Sequence, residues 1–381
     1  MIQMVQNIQK GKTKENFADL LGIEQAKRVK EFHESFAEYS ETPLVELKNY
    51  AKKTGVAAVF VKDESYRFGL NAFKVLGGSY AIGMYQKNHA KDDEMVYISA
   101  TDGNHGRGVA WMAHHIGRKS VILMPRGSAD ERLLNIRQEG AEAFITEGNY
   151  DETVRMADQM AKDHGWVMVQ DTAWEGYTDI PTWIMQGYMT MAYESYLQLN
   201  GRIPSHIFIQ AGVGSVAGAV IGFYADLFRE NTPLFVVVEP DKADCLYRSA
   251  KAADGERRFV AGDMDTIMAG LACGEPNIVS WEILKEKADY FMSCSDYMAA
   301  QGMRILGCPL GDDTRIIAGE SGASAFGMVS EILRNPEYEK VKQELQLNAE
   351  STLLFFNTEG ATDEENYRRI VWDGAWQQVT K

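Results

Sequence analysis

The chain has 381 residues, 45% hydrophobic and 24% charged, which suits a soluble globular protein of two domains or one large α/β unit. A net charge of −15 argues against nucleic acid or an anionic membrane surface as partner. The four cysteines (Cys245, Cys273, Cys294, Cys308) show no CxxC spacing, and the adjacent His114 and His115 would point about 100° apart on a helix, so no metal site is expected. The N-terminal residues lack a charged and then apolar leader, so a cytoplasmic place is expected.

The first informative stretch is "GLNAFKVLGGSY", residues 69–80, where Lys74 is the one cation in an uncharged run. Either Lys74 lies along apolar surface with its ammonium in water, or it is a desolvated amine able to form a Schiff base. Next, "EMVYISATDG" reads as a strand before a helix from about His105 to Ile116. Asp102 and Asn104 can cap that helix; alternatively Asn104 bonds a cofactor oxygen while Asp102 faces substrate. His105 reads as a packing or helix-start residue.

The alternation continues. "SVILMPRGS" precedes the short helix "ADERLLNIRQEG", "AFITEGNY" precedes a helix starting near Asp151, and "WVMVQDTAWEG" follows. Residues 207–225, "IFIQAGVGSVAGAVIGFYA", are uncharged and of membrane-spanning length, yet strand, glycine turn and helix followed by "LFVVVEP" fit a buried βαβ unit better. "HIFIQAGVG", "LFVVVEP", "RIIAGESGA" and "STLLFFNTEG" repeat the strand pattern. Such alternation predicts an α/β protein with mostly parallel sheets flanked by helices.

The predicted strands end in TDGNHG, QDTAWEG, AGVGSVAG, VEPDKAD, GESGA and NTEG. Ligands bind beyond the carboxyl ends of strands in such sheets, so these polar ends predict a large pocket between two sheets. Gly212, Gly214 and Gly218 spell GxGxxxG at a helix start, and Glu239 ends the next strand. On this segment alone a lone phosphate site and a dinucleotide site are equally good readings, and glycines serving only helix–strand packing remain a third.

Taken in order, "KDESYRFGLNAFK", "TDGNHGRGVAW", "QDTAWEGYTDIPTWIMQGY", "QAGVGSVAG", "VEPDKADC", "IMAGLACGEPN", "GESGA" and "NTEG" resemble the fold-type II pyridoxal-phosphate enzymes. That is the tryptophan synthase β and threonine dehydratase superfamily, and the resemblance is closest to its branch that removes ammonia from 2,3-diaminopropionate. The resemblance implies pyridoxal 5′-phosphate as cofactor, with Lys74 as the Schiff-base lysine. Residues Gly212, Val213, Gly214, Ser215, Val216 and Gly218 would hold the phosphate. Asn104 would contact the phenolic oxygen and Thr358 the pyridine nitrogen, with Glu320 and Ser321 close by. Asp102 and Asp171 map to the acid–base positions, and Tyr150 to a substrate contact. Cys245 stands where related serine racemases have an acidic ligand, which leaves no metal expected. A large domain of 1–87 and 176–381, a mobile small domain of 88–175 and a homodimer are implied likewise.

Chemistry supports a diamino acid. A carboxylate is costly to bury unless a cation arrives to pair with it, and a β-ammonium is such a cation. Two acids in different surroundings can also divide base and acid roles. Asp171 alone would read as a turn or capping aspartate. The expected reaction is α,β-elimination of ammonia from D- or L-diaminopropionate, giving pyruvate and ammonia through an aminoacrylate. Three alternatives stay open: a lyase acting on serine, threonine or an oxalyl-diamino acid; an NAD(P)-dependent dehydrogenase; and a non-catalytic sensor that keeps the cleft.

Overall fold

The structure, a computed structural model, describes residues 2–89, 94–101 and 103–377. Among the described residues eleven strands run in chain order: β1 (Gln3–Gln6), β2 (Leu44–Glu46), β3 (Ala58–Asp63), β4 (Val96–Ala100), β5 (Lys119–Met124), β6 (Glu142–Ile145), β7 (Val167–Met168), β8 (His206–Gln210), β9 (Leu234–Pro240), β10 (Tyr290–Cys294) and β11 (Thr352–Asn357). They form a seven-stranded sheet, ordered β1-β10-β9-β8-β11-β3-β2, and a four-stranded sheet, ordered β6-β5-β4-β7. The second sheet is wholly parallel, and only the edge strands β1 and β2 of the first run antiparallel.

The uncharged run at 207–225 is β8 followed by the helix Ser215–Phe228, buried from Ser215 to Tyr224. No helix among the described residues is long and apolar enough to cross a membrane. Burial here comes from protein on both faces of the sheet, worth about 1.5–3 kcal/mol for each large apolar side chain. The predicted strand in "RIIAGESGA" does not form. Its backbone bonds go elsewhere: Ile316 N donates to Leu306 O at 3.0 Å and Gly319 N to Glu359 O at 2.9 Å, so the run is an extended connector outside any ladder.

Lys74 opens the helix Lys74–Asn88, which is clamped between the helices Asn104–His115 and Asp179–Gln198. A Cβ on Gly108 would lie 2.7 Å from Val75 Cα, and one on Gly187 2.3 Å from Leu76 O. Only glycine permits that approach, so the backbone beside Lys74 is tightly located. The segment before it is anchored by a buried ion network. Lys62 Nζ meets Glu194 at 2.6 Å, and Arg67 meets Glu194 at 2.7 Å and Glu64 at 2.8 Å, all fully buried. Three charged residues in and after "KDES", Lys62, Glu64 and Arg67, are thereby tied to the helix that follows the small sheet.

Candidate active site

Lys74 points into a cleft between the two sheets. Strand ends from both sheets meet there. Thr101 and Asn104 come from beyond β4, Asp171 from beyond β7, Gln210 from the end of β8 with Gly212 to Val216 after it, and Thr358 from beyond β11. In the large sheet the chain leaves β8 toward β9 and β10, while β11 and β3 lie on the other side, so the cleft sits where the winding reverses.

The β11 end fixes the lysine helix. Phe73 N donates to Thr358 O at 3.1 Å, Gly360 N to Asn71 O at 2.9 Å, and Asn71 Nδ2 to Ala361 O at 2.9 Å. The Lys74 ammonium forms an ion pair with Asp171 Oδ2, and Tyr150 Oη donates to Asp171 Oδ1 at 3.2 Å. Gln170 holds that pair in place: its Nε2 donates to Tyr150 Oη at 2.9 Å and to Ala100 O at 2.8 Å, while its Oε1 accepts from Ala100 N at 2.9 Å. Burial pushes the Asp171 carboxyl up, but Lys74, then His105, Lys74's hydrogen bond and Tyr150's more than offset it, leaving it at about 2. While Lys74 carries its ammonium, Asp171 is therefore an anion at neutral pH.

The glycine loop forms an anion cradle. Gly214, at φ +104°, begins the helix Ser215–Phe228, and a Cβ there would lie 2.7 Å from Ser280 Oγ. Among the described residues no acceptor takes the amides of Gly214, Ser215, Val216 or Ala217. Four such donors at a helix start suit a phosphate. Ser215 Oγ braces the loop, donating to Asp171 O at 2.6 Å and accepting from Asn277 Nδ2 at 3.0 Å.

Two of the residues named from the sequence lie outside this cleft. Gly218 does not line it; its amide donates to Gly214 O at 2.8 Å, and a Cβ would crowd Met185 Cε at 3.0 Å, so this glycine serves helix packing. Glu320 turns into a neighbouring cleft beside Arg132, where Asn366 Nδ2 donates to it, whereas Ser321 does line the cofactor cleft. Asp102 lies outside the described residues. His105 is a packing residue here, its Nε2 donating to Val169 O at 2.8 Å. Glu239 caps the helix Cys245–Ala252, accepting from Leu246 N at 2.9 Å and Tyr247 N at 2.6 Å; burial pushes its carboxyl far up, against those two amides. A fully buried acid engaged by two helix amides is no partner for a ribose, which removes the main support for a dinucleotide.

The cleft also holds residues that the sequence patterns did not single out. Gln210 Nε2 donates to Thr358 Oγ1 at 2.8 Å. Glu359 accepts from Asn104 Nδ2 and from Ser321 N at 3.1 Å. Gln210 does have a signal, as the polar residue that ends the apolar strand "HIFIQ" at its carboxyl end.

Residues 36–343 match the family described as pyridoxal-phosphate dependent enzyme. The chain belongs to that family. Lys74, the amide cradle and the Thr358 hydroxyl supply an amine, an anion site and a donor in one cleft, so the residues present fit pyridoxal phosphate, the cofactor of this family. The chain is similar to the diaminopropionate ammonia-lyases of Salmonella typhimurium and Escherichia coli K12, each 49% identical. The first alignment covers 90% of this chain and 91% of the relative, the second 93% of each. Its structure is similar to that of the Escherichia coli diaminopropionate ammonia lyase in complex with an aminoacrylate-PLP azomethine reaction intermediate, with TM-score 0.92, 46% identity and 99% and 98% of the two chains covered. Threonine deaminase isoform 2 of Solanum lycopersicum shares the fold, with TM-score 0.78 at 18% identity over 98% and 97% of the chains.

Proposed function

We propose that this pyridoxal-phosphate enzyme eliminates ammonia from 2,3-diaminopropionate, giving pyruvate and ammonia. The buried Asp171 anion, held against Lys74 by Tyr150 and Gln170, carries this reading, because it offers a countercharge to a β-ammonium. The likeness to diaminopropionate ammonia-lyases over nine-tenths of the chain supports the same substrate.

Lys74 would hold the cofactor through its amine, the amides of Gly214 to Ala217 its phosphate, Thr358 its ring nitrogen and Asn104 its phenolic oxygen. When bound, pyridoxal phosphate supplies an electron sink for charge developing at the substrate α-carbon. The chain supplies orientation and proton control. Asp171, already ionised, accepts the α-proton of one isomer or pairs with the β-ammonium and keeps it protonated until it leaves. The Tyr150 hydroxyl orients that carboxylate. Asp102 is the second acid, assigned from its place in "TDGNHG". The aminoacrylate released hydrolyses to pyruvate and a second ammonia.

The segment 88–175, which carries the four-stranded sheet, acts as the small domain that closes over substrate and excludes water. The large domain is 1–87 with 176–381. A homodimer and a cytoplasmic place belong to the same proposal, resting on the superfamily resemblance and on four cysteines outside any disulfide among the described residues.

Turnover of D- and L-diaminopropionate, L-serine and L-threonine by the purified enzyme tests the reading. Diaminopropionate should yield two ammonia per pyruvate, with kcat/KM about 10–200-fold above serine, the value of one hydrogen bond to a buried charge. Preference for serine or threonine would overturn it.

A further inference from the structure

We infer that Gln210 is a positioning residue: it sets the direction of the Thr358 hydroxyl and so keeps the ring nitrogen of the bound cofactor unprotonated. This rests on the reading above, in which Thr358 faces that nitrogen.

The paired register of β8 and β11 ends at Phe208 opposite Phe355. Beyond it the Gln210 side chain takes over the bridge, donating from Nε2 to Phe356 O and to Thr358 Oγ1, each at 2.8 Å. A main-chain carbonyl only accepts, so the amide nitrogen must face Phe356 O, and the amide cannot be flipped. Its second hydrogen then falls on Thr358 Oγ1, which has to accept. The Thr358 proton is thereby directed away from Gln210, and no acceptor among the described residues takes it. Gln210 and Thr358 are 1% and 4% exposed and both line the cleft, so water does not freely scramble this order.

The carboxylate nearest in sequence, Glu359, is turned toward Asn104 Nδ2 and Ser321 N rather than toward the Thr358 hydroxyl. The Thr358 proton, with no other acceptor among the described residues, is best placed on a ring nitrogen with a free lone pair. A protonated ring could be met only by the second lone pair of Oγ1, leaving the hydroxyl proton unsatisfied in a buried place. An unprotonated ring withdraws electrons less, so charge stays at the substrate α-carbon and expels the β-amine. Proton return at the cofactor carbon, the transamination route, is suppressed.

The test uses holoenzyme carrying ring-¹⁵N pyridoxal phosphate, with two readouts: the ¹⁵N chemical shift, and the ratio of pyridoxamine phosphate to pyruvate formed. In Gln210→Glu the carboxylate takes the Thr358 proton and turns a hydroxyl lone pair toward the ring. We expect the shift to move to the protonated side and pyridoxamine formation to rise about tenfold, the value of one hydrogen bond of ~1.4 kcal/mol. In Gln210→Met the direction is lost without a new charge, and kcat should fall about tenfold with KM nearly unchanged. Should Gln210→Glu fail to fold, Gln210→Met is read by the same shift. A wild-type ring that is protonated, or a shift unmoved in every folded Gln210 variant, overturns the inference. Thr358→Val separates the two levels. If it leaves the shift unchanged, Thr358 does not face the ring nitrogen and the site reading fails. If it moves the shift while Gln210 variants do not, only the role of Gln210 fails.

Discussion

Lys74 and Tyr150 hold the two oxygens of one carboxylate, the ammonium on Oδ2 of Asp171 and the phenol on Oδ1 at 3.2 Å. The acid is thus aimed at the amine proposed to hold the cofactor. Asp171→Asn keeps the shape and removes the base. We expect kcat/KM to fall by about 10²–10⁴ for one isomer of diaminopropionate and by less for the other, with Asp102→Asn showing the reverse preference. Equal, mild losses for both isomers in both variants would refute the division of roles.

With the cofactor removed, the Lys74 ammonium pairs with Asp171 and the ion pair contributes to stability. Asp171 is depressed from 3.8 to about 2 by Lys74, His105 and Tyr150 against the upward push of burial, so its contribution is present above pH 3.8 and lost as pH falls toward 2. Thermal melts of cofactor-free wild type and Asp171→Asn should differ at pH 5 and converge near pH 2. A gap that persists through this range would show the pair to be irrelevant to stability.

Glu320 behaves oppositely. Burial raises its carboxyl from 4.5 to about 7, with Arg132 opposing and Glu359 adding to the rise. A raised acid favours the folded state fully below pH 4.5, and that benefit disappears as pH climbs through 7. Glu320→Gln should therefore stabilise the protein at pH 8, by up to ~3 kcal/mol, and have little effect at pH 4.5. Denaturant melts at the two pH values check this. Destabilisation at pH 8 would contradict it.

The buried network around Arg67 should be intolerant of partial removal. Arg67→Met leaves Glu64 and Glu194 without the guanidinium they both meet, a change expected to cost about 3–5 kcal/mol. Because this network anchors the segment before Lys74, cofactor affinity should fall with it. Melting and cofactor titration of the variant measure both. Unchanged stability would mean that the network only replaces hydration.

The cradle offers a cleaner perturbation. Gly214→Ala combines φ +104° with a Cβ 2.7 Å from Ser280 Oγ, so the loop must shift. We expect cofactor affinity to fall at least about tenfold, for a strain of ~1–3 kcal/mol, with little loss of secondary structure. Equilibrium dialysis gives the affinity directly, and an unchanged value would move the phosphate elsewhere.

Much of this was legible in the sequence because the fold's strongest signals are local. Apolar runs ending in glycine and small polar residues marked β4, β5, β8, β9 and β11, and Lys74 stood out as a cation without neighbours of its kind. The pattern failed where a role depends on distant partners. Glu320 adjoins Ser321 in sequence, yet helix geometry turns the two side chains into different clefts. Gly218 completes a motif by spacing, but its place is fixed by Met185 and Ser280 on other helices. "RIIAG" is apolar because it is covered, and nothing local says that its amides bond to Leu306 O and Glu359 O rather than to a neighbouring strand. Gln210 ends a predicted strand like many polar residues, and only the pairing of β8 with β11 gives it Thr358.

The most direct measurement is borohydride reduction of the purified holoenzyme followed by peptide mass spectrometry, with and without saturating diaminopropionate. We predict loss of the visible cofactor band, one pyridoxyl group on Lys74, and strong protection of that lysine by substrate during turnover. A pyridoxyl group on another lysine, or none on a chain that still makes pyruvate from diaminopropionate, would contradict the central role of Lys74.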